Sequence, residues 1–150
     1  MGMWPNSKFL DLIGVELPII QAPMAGAGGS AMAIAACEAG ALGSLPCAML
    51  DGDKVRAEIG VIRQRTEKPI NVNFFCHTPA SHDPDREAAW KAHLAGYYDE
   101  FGLDASATES AVNRAPFDEA MCEIVEDLKP EVASFHFGLP APDLLDRVKA

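Results

Sequence analysis

The stretch EVASFHFG, residues 131–138, has the pattern of a buried strand but carries an imidazole near its end. Side chains alternate along a strand, so His136 shares one face with Ser134, while Phe135 and Phe137 share the other. An imidazole can donate, accept or hold a proton near neutral pH, which suits anion binding or acid–base chemistry. A histidine hydrogen-bonded to neighbouring backbone fits the same spacing, and spacing alone does not separate the two roles.

A second apolar strand pattern, PINVNFF at residues 69–75, carries two amide side chains. The same alternation places Asn71, Asn73 and Phe75 together on one face. An asparagine offers two donors and one acceptor group, which suits the edge of a heterocycle that presents both kinds. The alternative is that the two amides bond to each other and to buried water.

Two further motifs are weak indicators of a site. GAGGSA, residues 26–31, formally fits a dinucleotide-binding fingerprint, but the following strand does not end in the required acidic residue. We expect these glycines to allow a tight turn beside a ligand instead. His77 and His82, with Asp83 nearby, suggest a metal site but lack a convergent third ligand, so we expect no metal.

Strands and helices alternate along the chain, and the strands are too apolar to leave one face in water. This favours parallel strands covered by helices. The polar segment of residues 76–115, with one helix near 85–101, is interpreted as an insertion in a βα loop. The predicted strands cover 18–24, 41–47, 69–75 and 131–138; the helices cover 31–39 after a Ser30 cap, a segment opened by Asp51 or Asp53, 116–129 and 141–150.

The predicted fold is α/β, a (β/α)8 TIM barrel of which this chain supplies about the first four βα units. A closed barrel takes about 250 residues, so we expect the 150-residue chain to be the N-terminal half, with the rest beyond residue 150. Active-site groups in such barrels collect at the C-terminal strand ends. That places His136 at the mouth of the barrel.

Net charge and apolar content exclude some classes of binding partner and location. The net charge of −10 argues against nucleic-acid or anionic-membrane surfaces, which are bound mainly through clustered Lys and Arg. The sequence has neither a signal-peptide pattern nor an apolar run of about 20 residues that would cross a bilayer. Its four cysteines form no C-x-x-C pair and are interpreted as reduced, mostly buried thiols. We therefore expect a cytoplasmic protein.

Four segments in order, PIIQAPMAG, EAGALGSL, KPINVNFFCH and VASFHFGLP, resemble the nitronate monooxygenases, formerly called 2-nitropropane dioxygenases. The resemblance covers nearly the whole chain. It implies an FMN-dependent barrel that oxidises alkyl nitronates with O2 to a carbonyl compound and nitrite. The partners it implies are a small nitronate and O2, and the sequence leaves open whether the protein is a homo-oligomer.

By motif matching, the resemblance also implies roles for individual residues. Ala22, Pro23 and Met24 would lie against the flavin ring through their backbone, and Asn73 would hydrogen-bond the flavin. His136 would stand near the flavin and the nitronate as a catalytic residue that holds the anionic nitro group. The principal catalytic histidine of the family and the FMN phosphate site are expected beyond residue 150.

Two other functions stay open on sequence grounds. A flavin-dependent enoyl reductase shares the first strand and the VN strand but takes electrons from a nicotinamide. A non-catalytic half-barrel, acting as a subunit or binding module, fits the chain's length.

Overall fold

The computed structural model describes residue 4 and residues 6–79, 81, 83–104 and 115–150. Within these residues the chain forms six helices and three strands. In chain order they are α1 (Lys8–Ile13), α2 (Ser30–Glu38), β1 (Gly43–Pro46), α3 (Gly52–Arg63), β2 (Ile70–Phe75), α4 (Pro84–Phe101), α5 (Glu119–Leu128), β3 (Val132–His136) and α6 (Pro142–Lys149).

The three strands form one parallel sheet in the order β1-β2-β3. Helix α3 connects β1 to β2, and the chain between β2 and β3 includes α5. Sequential parallel strands joined by helical crossovers are the arrangement of part of a (β/α) barrel. The α/β prediction is confirmed.

The first predicted strand is the exception. In place of a strand over residues 18–24, the structure has a single parallel bridge between Ile20 and Leu42. The Gln21 amide donates to the Leu42 carbonyl at 2.9 Å, and the Leu42 amide donates to the Ile19 carbonyl at 2.9 Å. Prolines at positions 18 and 23 remove backbone donors on both sides, so the pairing stays short.

The core lies between the sheet and the helices. Val55, Ile59 and Ile62 are the buried residues of α3, which confirms the stripe that their spacing predicts. On the same side of the sheet, the Phe74 ring meets the Phe117 ring edge-on with centroids 4.9 Å apart. Phe135 of β3 packs on both rings.

Some of the predicted helix ends are confirmed and others are wrong. Asp51 caps α3, its side chain accepting the Lys54 amide, and Gly40 has the left-handed φ of 89° expected after α2. The Ser30 cap is wrong, because Gly29 occupies the cap position and Ser30 is the first helical residue. Helix α5 begins at Glu119 instead of near residue 116, because the Asp118 side chain caps it.

Residues Pro79–Val112 form a second compact unit. Its helix α4 begins after Asp83, whose side chain accepts the Arg86 amide, and ends at Gly102 with a φ of 63°. In the ranges that the structure describes, no helix has the length and apolar character needed to cross a bilayer.

Candidate functional site

Three polar side chains of β2 and β3 form one hydrogen-bond network. The Asn73 Nδ2 donates to Ser134 twice, to its backbone oxygen at 3.1 Å and to its Oγ at 2.9 Å. The Asn73 Oδ1 lies 3.1 Å from Nδ1 of His136. Asn73 is only 2% exposed, so the network joins the buried interior of the sheet to its C-terminal end.

His136 is the last residue of β3 and is exposed, as expected for a group at the mouth of a barrel. The register pairs Asn73 with Ser134 and Phe75 with His136. The predicted sharing of a face by these polar residues is therefore confirmed. Sequence reasoning missed Ser134 as the residue that fixes Asn73, although its place in the alternation pointed to it.

The predicted position of Phe137 is wrong. Alternation put its ring on the helix side with Phe135, but the ring packs edge-on against Phe75 at 5.0 Å, on the polar side. The strand ends at His136, and Phe137 has a φ of 67°, which turns the chain out of the strand path. Its ring also lies 6.2 Å from the His136 ring and 6.4 Å from the His77 ring.

Asn71 lies one layer deeper and is separate from this network. Its Nδ2 donates to Ser44 Oγ of β1 at 3.0 Å. Its Oδ1 is buried and has no hydrogen-bond partner among the described residues. The two amides therefore do not bond to each other, and each is held by a serine on a neighbouring strand.

The turn that contains Ala22, Pro23 and Met24 is fixed by a residue that the sequence analysis did not single out. The Oε1 of Gln21 accepts the Ser44 amide of β1 at 2.8 Å, and its Nε2 donates to the Ala22 carbonyl. Within the described part of the chain, the backbone N–H groups of Ala22 and Met24 donate no hydrogen bond. Both residues are exposed, so these two unpaired backbone donors are candidates for binding a ligand.

Glycines close this turn against the end of β1. The amides of Ala27 and Gly28 both donate to the Met24 carbonyl, at 3.0 and 2.7 Å. A Cβ on Gly28 would lie 3.3 Å from that carbonyl oxygen and 3.6 Å from the Pro46 side chain. The expectation of a tight turn is confirmed.

The same loop is poorly suited to a phosphate. The Ser30 amide, at the start of α2, donates to a carboxylate oxygen of Glu58 at 3.0 Å. A phosphate at this helix end would displace or meet that negative charge. This contact supports setting the dinucleotide fingerprint aside.

The cysteines near the strand ends are unsuited to nucleophilic chemistry. Burial raises the pKa of the Cys47 thiol to about 12 and also raises that of Cys76. Both therefore stay protonated at neutral pH.

The segments that follow the strands carry no charged side chain other than histidine. They are residues 21–29, 46–50, 75–79 and 136–141. In the described ranges, no group of three or more His, Cys, Asp or Glu residues could hold a metal ion. His82 of the weak metal motif lies outside the described residues. Besides apolar and backbone groups, these segments offer a ligand the side chains of Gln21, His77, Thr78 and His136.

Comparison with known proteins identifies relatives over nearly the whole chain. The family model described as nitronate monooxygenase matches residues 6–150. A nitronate monooxygenase of Paraburkholderia phytofirmans is 41% identical over 141 residues, which are 93% of this chain and 38% of the relative. One of Pseudomonas aeruginosa is 38% identical over 146 residues, 97% of this chain and 42% of the relative.

Solved structures agree. A nitroalkane oxidase of Streptomyces ansochromogenes superposes with a TM-score of 0.77 at 31% identity, covering 94% of this chain and 39% of that one. FabK of Thermotoga maritima has a TM-score of 0.60 at 24% identity, covering 93% and 34%, and supports the fold alone. The chain thus spans about two fifths of the length of these relatives.

Proposed function

The chain belongs to the nitronate monooxygenase family, and we propose that it supplies one wall of an FMN-dependent active site that oxidises alkyl nitronates. The reaction consumes O2 and yields a carbonyl compound and nitrite. The observation that carries the proposal is the position of His136, exposed at the C-terminal end of β3 and hydrogen-bonded to buried Asn73. Chemistry at strand ends is the rule in this architecture.

The residues present fit a flavin ring. The free backbone N–H groups of Ala22 and Met24 can donate to ring oxygen or nitrogen atoms, and Pro23 between them holds the turn rigid. Both donors of the Asn73 amide are engaged by Ser134, so its contribution would be the second lone pair of Oδ1, accepting from a ring N–H. When bound, FMN supplies the electron transfer between substrate and O2.

His136 is proposed as the group that holds the nitronate. A nitronate is an anion, and the segments at the strand ends carry no Lys or Arg to pair with it. An imidazole at this position can hydrogen-bond the nitro oxygens, directly stabilising their negative charge.

The four free cysteines support the proposed cytoplasmic location. Cys37, Cys47 and Cys122 are buried, Cys76 is half-buried, and all four are unpaired. Free thiols are the usual state in a reducing compartment.

The test uses the protein from its full reading frame, purified and saturated with FMN. O2 consumption and nitrite release are measured with ethyl nitronate and propionate 3-nitronate. We expect both signals to appear together and to depend on the nitronate. A yellow protein that consumes no O2 with either nitronate would overturn the proposal.

The enoyl-reductase alternative is tested in the same preparation. The oxidised protein is mixed anaerobically with NADH or with nitronate, and the flavin absorption band is followed. We expect rapid bleaching by nitronate. Rapid bleaching by NADH, with none by nitronate, would favour the reductase.

A further inference from the structure

The hydrogen bonds around Asn73 determine which way its amide faces. The backbone oxygen of Ser134 can only accept, and it lies 3.1 Å from the Asn73 amide nitrogen. That contact requires a donor, so Nδ2 faces Ser134 and Oδ1 faces His136. The Ser134 Oγ, at 2.9 Å from the same nitrogen, takes the second amide hydrogen.

The amide orientation in turn determines where the histidine carries its proton. The Asn73 Oδ1 can only accept, and it lies 3.1 Å from the His136 Nδ1. The contact is favourable only when Nδ1 bears hydrogen, whether the ring is neutral or cationic. We propose that Asn73 is a positioning residue that holds neutral His136 in its Nδ1–H form and leaves Nε2 as the atom that meets the substrate.

This arrangement gives the two ring nitrogens different tasks. Nδ1 donates to Asn73 whether the ring is neutral or cationic, so the hydrogen bond holds the same ring orientation in both forms. Nε2 alone changes, from an acceptor in the neutral ring to a donor in the cation. The catalytic consequence rests on the proposed function: a nitronate oxygen is held by the Nε2–H of the cation, whereas neutral His136 presents a lone pair to it.

The chain provides a matched control for Asn73. Asn71 lies two residues earlier on the same strand and the same face, and is also buried, but it bonds to Ser44 and not to His136. The same Asn→Leu change therefore removes a comparable buried amide at both positions. Only the change at position 73 also removes the contact with His136.

The tautomer is read directly by nitrogen NMR of the full-length protein labelled with 15N at histidine. The His136 signals are assigned by their loss in His136→Asn and recorded at a pH where they no longer shift. We expect Nδ1 in the protonated range and Nε2 in the unprotonated range. The same pattern is expected in Asn71→Leu and Ser134→Ala, because the Ser134 backbone oxygen remains, and in Asn73→Asp, which keeps an acceptor.

Asn73→Leu is expected to lose this pattern and to lower kcat/KM for ethyl nitronate about tenfold, as for one oriented hydrogen bond. Asn71→Leu is expected to stay within about twofold of the parent when compared at equal folded fraction. An Nε2–H pattern in the parent, or an unchanged Nδ1–H pattern in Asn73→Leu, would overturn the inference. An Nδ1–H parent that oxidises no nitronate would overturn the proposed function while supporting the tautomer assignment.

Discussion

Both carboxylate oxygens of Glu131 accept hydrogen bonds from the Nη2 of Arg63, at 2.9 and 2.7 Å. Arg63 is the last residue of α3, and Glu131 directly precedes β3. One of the same oxygens also accepts the Ile70 amide at 2.9 Å. This single carboxylate therefore joins the end of a helix to the starts of two neighbouring strands. It lies at the N-terminal end of the strands, whereas His136 lies at their C-terminal end.

Acid should weaken the protein partly through Glu131. Burial raises the pKa of this carboxyl, but the bonds from Arg63 and Ile70 outweigh burial and lower it below 4.5. A lowered folded-state pKa gives stability that is present above the unfolded pKa and is lost as pH falls through the folded one. We expect Glu131→Gln to lose less stability than the parent below pH 4.5.

Urea unfolding across a pH series measures this difference. Glu131 remains partly exposed, so solvent screening limits the expected effect to about 1 kcal/mol. Parallel curves of unfolding free energy against pH for the two proteins would contradict the assignment.

His136→Asn should reduce activity while leaving folding nearly intact. The side chain is exposed, and within the described ranges its hydrogen-bond partner is Asn73. Losing a charge-assisted hydrogen bond to the nitronate should lower kcat/KM. The expected loss corresponds to about 1.5–3 kcal/mol of transition-state stabilisation. Steady-state kinetics and thermal melting check this together. Parent-like kinetics with a clearly lowered melting point would instead indicate a purely structural histidine.

Gly43 should tolerate no side chain. A Cβ there would lie 2.2 Å from the Ala33 carbonyl oxygen and 2.6 Å from the Cys37 sulfur, because α2 packs directly on β1. We expect Gly43→Ala to destabilise the protein by about 3 kcal/mol in chemical denaturation.

Gly60, in the middle of α3, is the matched control. Apart from its chain neighbours and the adjoining helix backbone, no atom of the described residues lies within 4 Å of a Cβ built there. Gly60→Ala should stabilise the protein by about 1 kcal/mol, because alanine favours the helix. Equal effects at the two glycines would show that α2 and β1 are not in close contact.

Much of this architecture could be predicted because its signals are local. Alternation along β2 and β3 places Asn73, Ser134 and His136 on one face, and the structure joins them in one network. The helical spacing of Val55, Ile59 and Ile62 likewise identifies the buried face of α3. Both patterns depend only on the repeat of a regular element.

The failures involve contacts between residues far apart in the chain or breaks in a regular element. Ser30 looked like a helix cap, but its amide is taken by Glu58, 28 residues later. Gln21 appeared only within the segment PIIQAPMAG, yet its side chain anchors the turn of Ala22, Pro23 and Met24 to Ser44. No local pattern in the sequence reports either contact.

The prediction for the Phe137 side chain was wrong for a different reason. Side chains alternate between faces only while the strand continues. In the described residues, Lys129 and Phe137 are the non-glycine residues with positive φ, and Phe137 has 67°. Such a conformation is unfavourable for a residue with a Cβ. Packing of its ring against Phe75 at 5.0 Å is the compensating contact.

This geometry predicts an inverted order of stability for two substitutions at Phe137. Both Phe137→Ala and Phe137→Gly remove the ring, but only glycine relieves the backbone, so the glycine variant should be more stable by about 1 kcal/mol. Leu139, two residues on and 67% exposed, has an ordinary φ, so there alanine should be at least as stable as glycine. Urea unfolding of the four variants measures both differences. If alanine is the more stable residue at position 137 as well, the chain does not leave the strand path there, and the Phe137 ring does not lie beside His136.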